Sequence, residues 1–94
     1  MGRKSMSYKL IIFDKRLWLR DCRSIPCKDL ERIKSRIHAL EREPWSEEVQ
    51  VKQLHHFDTV DFRLRIGSYR VLFNRHEDKK IIFLLRVLHR SKLY

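Results

Sequence analysis

Twelve consecutive residues, Phe62-Arg63-Leu64-Arg65-Ile66-Gly67-Ser68-Tyr69-Arg70-Val71-Leu72-Phe73, constrain the fold of this chain more than any other stretch. They read as a tight β-hairpin. Side chains along a strand alternate between faces, so Phe62, Leu64 and Ile66 share one face and Arg63 and Arg65 the other. Gly67-Ser68 suits a two-residue loop, with glycine where φ must be positive. That loop sets the register: Ile66 opposite Tyr69, Arg65 opposite Arg70, Arg63 opposite Leu72. One face is then apolar, through Phe62, Leu64, Ile66, Tyr69, Val71 and Phe73. The other gathers Arg63, Arg65 and Arg70. Like charges directly opposite each other destabilise a sheet. A fold that keeps three together is expected to hold an anion there, and a nucleic-acid phosphate is the natural one. The alternative is a solvated sheet face that is merely basic.

Composition supports the anion. Lys and Arg number 22 against 12 Asp and Glu, for a net charge of +10 over 94 residues. Such an excess argues for a polyanionic partner, a nucleic acid or an acidic protein. The length fits one domain, residues 1–94, with a core just large enough to sustain itself. No segment pairs a basic face with a long apolar one, and the longest apolar runs, Leu10–Phe13 and Ile81–Leu85, are far too short to span a bilayer. No membrane partner is expected. With no signal peptide at the polar, basic start, a cytoplasmic protein is expected. Residues 1–7 are expected to be disordered or foreign to the natural chain, with Met6 as the natural start. Cys22 and Cys27 are spaced C-x4-C, neither a redox pair nor a zinc knuckle. His55 and His56 would point to opposite faces of a strand. No metal site and no cofactor are expected.

The remaining elements follow from periodicity and caps. Tyr8–Phe13 reads as a short strand. Asp14 suits the N-cap of a helix reaching about Arg23, with Trp18, Cys22 and Ile25 on one stripe. A second helix spans about Pro26–Glu43, with Leu30, Ile33, Ile37 and Leu40 at steps of three and four, and Pro44 ending it. Trp45–Glu48 is a linker and Val51–His55 a short strand. The hairpin strands run Val60–Ile66 and Tyr69–Arg75, and residues 76–79 form a polar turn. Lys80–Leu88 is apolar on both faces and reads as a central strand buried on both sides. The order is β-α-α-β-β-β, an α+β fold in which two N-terminal helices pack on one face of an antiparallel sheet. With the helices on the apolar face of the hairpin, the arginine face is left open as a concave basic groove.

The chemistry allowed is narrow. His89, Arg90 and Tyr94 arrive together after the last strand. Arg supplies planar bidentate donors for phosphate, and His and Tyr can move protons. No acidic cluster is spaced to hold Mg²⁺. RNA, unlike DNA, carries its own nucleophile, the 2′-OH. A basic site with one proton acceptor can therefore cleave RNA by attack of that oxygen on the adjacent phosphate, with arginines stabilising the developing charge. Each residue has a plainer alternative: Arg90 and Lys92 as a solvated tail, Tyr94 as packing for the C-terminus, His89 as a structural residue.

From Phe62 to Tyr94 the sequence resembles the RelE/ParE superfamily of toxin–antitoxin toxins, most closely the RelE-like mRNA interferases. The residues that carry the likeness are Phe62–Val71, then Val87-Leu88-His89-Arg90, then Tyr94. The β-α-α-β-β-β order extends it back to Tyr8. The resemblance implies a ribosome-dependent endoribonuclease that cuts mRNA in the decoding site and leaves a 2′,3′-cyclic phosphate. It implies a cognate acidic antitoxin that wraps the toxin into a hetero-oligomer. By position Arg63 and Arg65 match basic strand residues that bind the RNA backbone, and Arg70 the arginine on the scissile phosphate. Arg90 matches a C-terminal arginine supporting the transition state or leaving group, and Tyr94 an aromatic that stacks on a base or transfers a proton. Lys52, His89 and Lys92 complete the residues expected to bind RNA. Leu88 stands where the family has glycine. Some members have lysines in place of Arg63 and Arg65, and arginine is a poor base, so the general base is left unassigned. The rival within the superfamily is a ParE-like gyrase inhibitor without nuclease activity. A non-catalytic RNA-binding module is a further alternative.

Overall fold

The computed structural model describes residues 6–43, 45, 49–54 and 60–93. In chain order these form β1 (Met6–Ser7), β2 (Lys9–Ile12), α1 (Lys15–Arg23), α2 (Cys27–His38), a 3-10 turn (Ala39–Glu41), β3 (Arg42–Glu43), β4 (Gln50–Gln53), β5 (Phe62–Ile66), β6 (Tyr69–His76), β7 (Ile81–His89) and a closing 3-10 turn (Arg90–Lys92). The expected α+β fold is present, with two helices and a five-stranded sheet ordered β2-β7-β6-β5-β4. Residues 6–7, expected to be disordered, pair antiparallel with Arg42 and Glu43 in a separate two-stranded sheet.

Both helices start and stop for local reasons. Asp14 caps α1 by accepting from the Leu17 amide at 3.1 Å. Such a cap is worth about 1 kcal/mol. α2 begins after Pro26, whose missing N–H costs nothing at a helix start. It ends earlier than Glu43 because the chain turns at Ala39–Glu41 to form β3, and the Tyr8 amide donates to the Glu41 carbonyl at 2.7 Å. The Trp45 indole N–H donates to the Leu40 carbonyl at 3.1 Å, satisfying one acceptor that the helix end leaves open.

The core lies between the helices and one sheet face: Trp18, Ile25, Ile33, Ile37 and Leu40 from above, Leu64, Ile66, Val71, Phe73, Ile82, Leu84 and Val87 from below. The hairpin register is the one its sequence implies, Ile66 with Tyr69, Arg65 with Arg70 and Arg63 with Leu72. Gly67 has φ +57° and Ser68 stays at negative φ, the pattern of a type II′ loop.

Two features of the sheet depart from expectation. The first strand, β2, runs parallel to β7, while the other four strands are antiparallel. The two helices carry the chain from β2 at one edge of the sheet toward β4 at the other, and the antiparallel succession β4, β5, β6 brings β7 back beside β2. The second departure is in β7, which is not buried on both sides. Only Ile82, Leu84 and Val87 are buried. Leu72 pairs with Arg86 and Phe73 with Leu84, so Leu85 is an extra residue in a β-bulge. The bulge resets the alternation and lets both Leu84 and Val87 face the helices, which strict period-two pleating forbids.

Candidate functional site

The alternation that buries Leu64 and Val71 places four basic residues on the opposite sheet face. On β4 and β5, Lys52 stands opposite Arg63 and Gln50 opposite Arg65. On β5 and β6, Arg65 stands opposite Arg70. Directly opposed residues have Cβ atoms roughly 5 Å apart. Lys52, Arg63, Arg65 and Arg70 therefore form two ranks of paired cations across three strands. Lys52 and Arg65 are exposed and Arg63 is half-buried. A bare patch of this kind repels itself, by about 1 kcal/mol per pair at 4 Å in water.

Arg70 differs from the other three. It is only 6% exposed, and its Nη1 donates to the Gly67 and Tyr69 carbonyls, both at 2.9 Å. It fastens the hairpin tip. The sequence reading made Arg70 a free member of an open basic face; the structure makes it an anchor as well, with its charge held at the rim of that face. The tip is tied a second time by the Arg90 amide, which donates to the Ser68 carbonyl at 2.7 Å. Arg90 and Lys92 are exposed in the closing 3-10 turn. Tyr94, expected at this site, lies outside the described residues, as do His55 and His56.

His89 is not on the arginine face. It pairs with Tyr69, which itself pairs with Ile66, so it shares the helix-facing side. Its ring meets Tyr69 edge-on at 5.4 Å, and its Nδ1 lies 2.9 Å from the Ser91 hydroxyl and accepts from the Ser91 amide. Burial, reinforced by the neighbouring Asp29 carboxylate, pushes the Tyr69 phenol above its ordinary value. Tyr69 thus stays a neutral hydroxyl at physiological pH.

Sequence reasoning missed the ion pair that docks α1. Arg86 donates from Nε and from Nη2 to the two oxygens of Asp21, each at 2.8 Å, and the Val87 amide donates to the same carboxylate at 3.2 Å. The hydrogen bonds it donates to Asp21 hold the Arg86 guanidinium more firmly protonated. The signal was an arginine inside an otherwise apolar strand. Cys22 and Cys27 are free thiols. Among the described residues no group of three or more His, Cys, Asp or Glu is placed to hold a metal ion. No helix among them is long and apolar enough to cross a membrane.

Residues 15–94 match the family model described as the ParE toxin of type II toxin–antitoxin system, parDE. The fold is similar to the archaeal RelE–RelB complex from Pyrococcus horikoshii OT3, at TM-score 0.72 and 27% identity over 93% of this chain and 99% of that one. The toxin–antitoxin complex RelBE2 from Mycobacterium tuberculosis gives TM-score 0.71 and 27% identity over 89% of this chain and 99% of the other. The RelB–RelE antitoxin–toxin complex from Methanococcus jannaschii gives 0.66 and 25% over 89% and 95%. No curated protein matches the chain by sequence.

Proposed function

The chain belongs to the ParE toxin family of type II toxin–antitoxin systems, within the RelE/ParE superfamily, and we propose that it is a ribosome-dependent mRNA endoribonuclease. The observation that carries this reading is the double rank of cations Lys52/Arg63 and Arg65/Arg70 on one sheet face. A phosphodiester backbone laid across those ranks neutralises them. Arg70, fixed by two main-chain carbonyls, keeps its guanidinium in place without reorganisation, which is what transition-state charge stabilisation needs. The nucleophile is the RNA 2′-OH. As its proton passes to solvent it attacks the adjacent phosphorus, the bond to the 5′-oxygen breaks, and a 2′,3′-cyclic phosphate remains. Arginine does not give up its proton in proteins, so it serves by charge and not by proton transfer. On this face Lys52 is the described residue with a transferable proton, and it serves as the acid that protonates the leaving 5′-oxygen. Arg90, exposed beside the tip, supports the leaving group, and Tyr94 stacks on a base or takes part in proton transfer. No cofactor enters the scheme.

The partner is an acidic antitoxin, an assignment supported by the toxin–antitoxin complexes among the similar structures. A partly disordered acidic segment folds over the basic face and competes with RNA for it. Toxin–ribosome affinity should then fall steeply between about 50 and 200 mM salt, because each neutralised phosphate releases counterions.

The second reading is a gyrase inhibitor without nuclease activity, and what favours it is that the matching family model is the ParE toxin. One experiment separates the two. Protein is added to a cell-free translation system, mRNA 5′ ends are mapped, and gyrase supercoiling is assayed in parallel. Cleavage with normal supercoiling supports the first reading; loss of supercoiling with intact mRNA supports the second.

A further inference from the structure

On the helix side of the sheet, two hollows of about 300 and 510 Å³ meet at the Tyr69–His89 pair. Their size is that of small-ligand pockets, roughly 300–1,000 Å³. The smaller is mainly polar, the larger mainly apolar, and both carry cations. Arg32 and the Gly67-Ser68 tip line the smaller; Arg20 and Lys92 line the larger. All three cations are exposed, and none makes an ion pair among the described residues. Of the acids nearby, Asp21 holds Arg86 and the Val87 amide, while Asp29 lines the smaller hollow beside Arg32. Three cations against the one Asp29 carboxylate leave a net positive charge around two aromatic rings, the combination that binds single-stranded nucleic acid through its backbone and its bases.

This cleft is continuous with the proposed cleavage face. Arg70 grips the Gly67 carbonyl from the sheet-face side. From the helix side, Arg32 Nη1 comes within 3.1 Å of where a Cβ on Gly67 would stand. The hairpin tip is bracketed by a guanidinium on each side, and a basic surface runs from Arg65 and Arg70 over the tip to Arg32, Arg20 and Lys92. The geometry points to a second RNA-binding site: the Tyr69–His89 cleft takes a nucleotide, with its base against the rings and its phosphates on Arg32 and Arg20. The nucleotide comes either from the cleaved strand a few positions away or from ribosomal RNA beside it. The inference rests on the RNA reading of the preceding subsection and adds a subsite to it.

Ser24, exposed at the rim of the larger hollow, is the place for a probe. Ser24→p-azidophenylalanine protein is added to translating ribosomes and photolysed, and labelled RNA is mapped while mRNA cleavage is scored on the same sample. Label on mRNA near the cleaved position supports the cleft with the same strand as occupant. Label on ribosomal RNA supports it with the neighbouring RNA as occupant. Label on protein alone, or none, overturns it. Cleavage without RNA label refutes the cleft and leaves the nuclease reading standing; RNA label without cleavage does the reverse; neither signal refutes both. An independent arm is the Arg20→Ala/Arg32→Ala double variant, with folding checked by melt. The toxin concentration for half-maximal ribosome binding should rise about tenfold. An unchanged curve overturns the role of these arginines.

Discussion

Arg65 and Arg70 face each other across the hairpin, yet removing them should move stability in opposite directions. Arg70 is 6% exposed and donates from one nitrogen to two carbonyls at 2.9 Å. A hydrogen bond from a charged donor contributes about 1.5–3 kcal/mol, which the bond to Gly67 at the tip supplies, the bond to the adjacent Tyr69 carbonyl being local to the chain. Its buried stem adds ~0.8 kcal/mol per methylene. Against this, Arg70→Ala relieves repulsion with Arg65 of about 1 kcal/mol. The net is a loss of roughly 2 kcal/mol, or about 10 °C in melting temperature for a domain of this size. Arg65 is exposed and donates to neither of the carbonyls that Arg70 holds at the tip, so Arg65→Ala keeps only the relief of repulsion. It should melt with wild type or a few degrees above. Both variants should lose RNA affinity, with a salt slope shallower by about 0.7 for each single-strand phosphate no longer neutralised. The assays are thermal melts by circular dichroism and ribosome binding over a salt series. An Arg70→Ala protein as stable as wild type refutes the anchoring role. An Arg65→Ala protein that melts well below wild type refutes the picture of mutual repulsion on that face.

Asp21→Ala strands the Val87 amide and releases Arg86, whose side chain is 36% exposed and regains water. The loss should be about 3 kcal/mol by urea unfolding, and Asp21→Ala/Arg86→Leu should recover part of it; a loss under about 1 kcal/mol contradicts the docking role. Gly67→Ala puts a Cβ at φ +57° and against the Arg32 head group, and should cost about 1–3 kcal/mol by the same measurement, whereas a neutral effect contradicts the strained loop. Burial lifts the Cys22 thiol and the Tyr69 phenol above their usual 9.0 and 10.0. The unfolded chain then releases these protons first, so stability is full below about pH 9 and falls as pH rises through the Cys22 and then the Tyr69 range. Melts from about pH 8 to about pH 11 should show the fall, with Cys22→Ala flattening its first part; an early limb unchanged in that variant contradicts the assignment.

The hairpin was legible in the sequence because two independent signals agree on its register. Gly67 marks the loop, and the alternation of Phe62, Leu64 and Ile66 with arginines fixes the faces. The helix starts were legible from Asp14 and Pro26. The bulge at Leu85 was not, since one inserted residue leaves no trace in a run that is apolar throughout; it is why β7 looked buried on both sides. The direction of β2 is set by the path of the chain between it and β7 and not by its own residues. At the site, sequence spacing brought Arg63, Arg65 and Arg70 together correctly, and the register adds Lys52 beside Arg63. It did not reveal that Arg70 grips the tip, because main-chain carbonyls carry no sequence signature. His89 was grouped with Arg90 by proximity in the chain, but β7 ends at His89, which pairs with Tyr69 on the helix-facing side, while Arg90 leaves the strand in the closing 3-10 turn.

The central claim is that the basic face cleaves RNA through the substrate's own 2′-OH. The most direct measurement uses an mRNA with a single 2′-deoxynucleotide immediately 5′ of a mapped cleavage site, translated in the presence of the toxin. The account expects cleavage at that position to vanish while neighbouring sites are still cut, and the 3′ ends of the remaining products to carry 2′,3′-cyclic phosphate by mass spectrometry. Undiminished cleavage at the deoxy position, with 3′-hydroxyl ends, would contradict it.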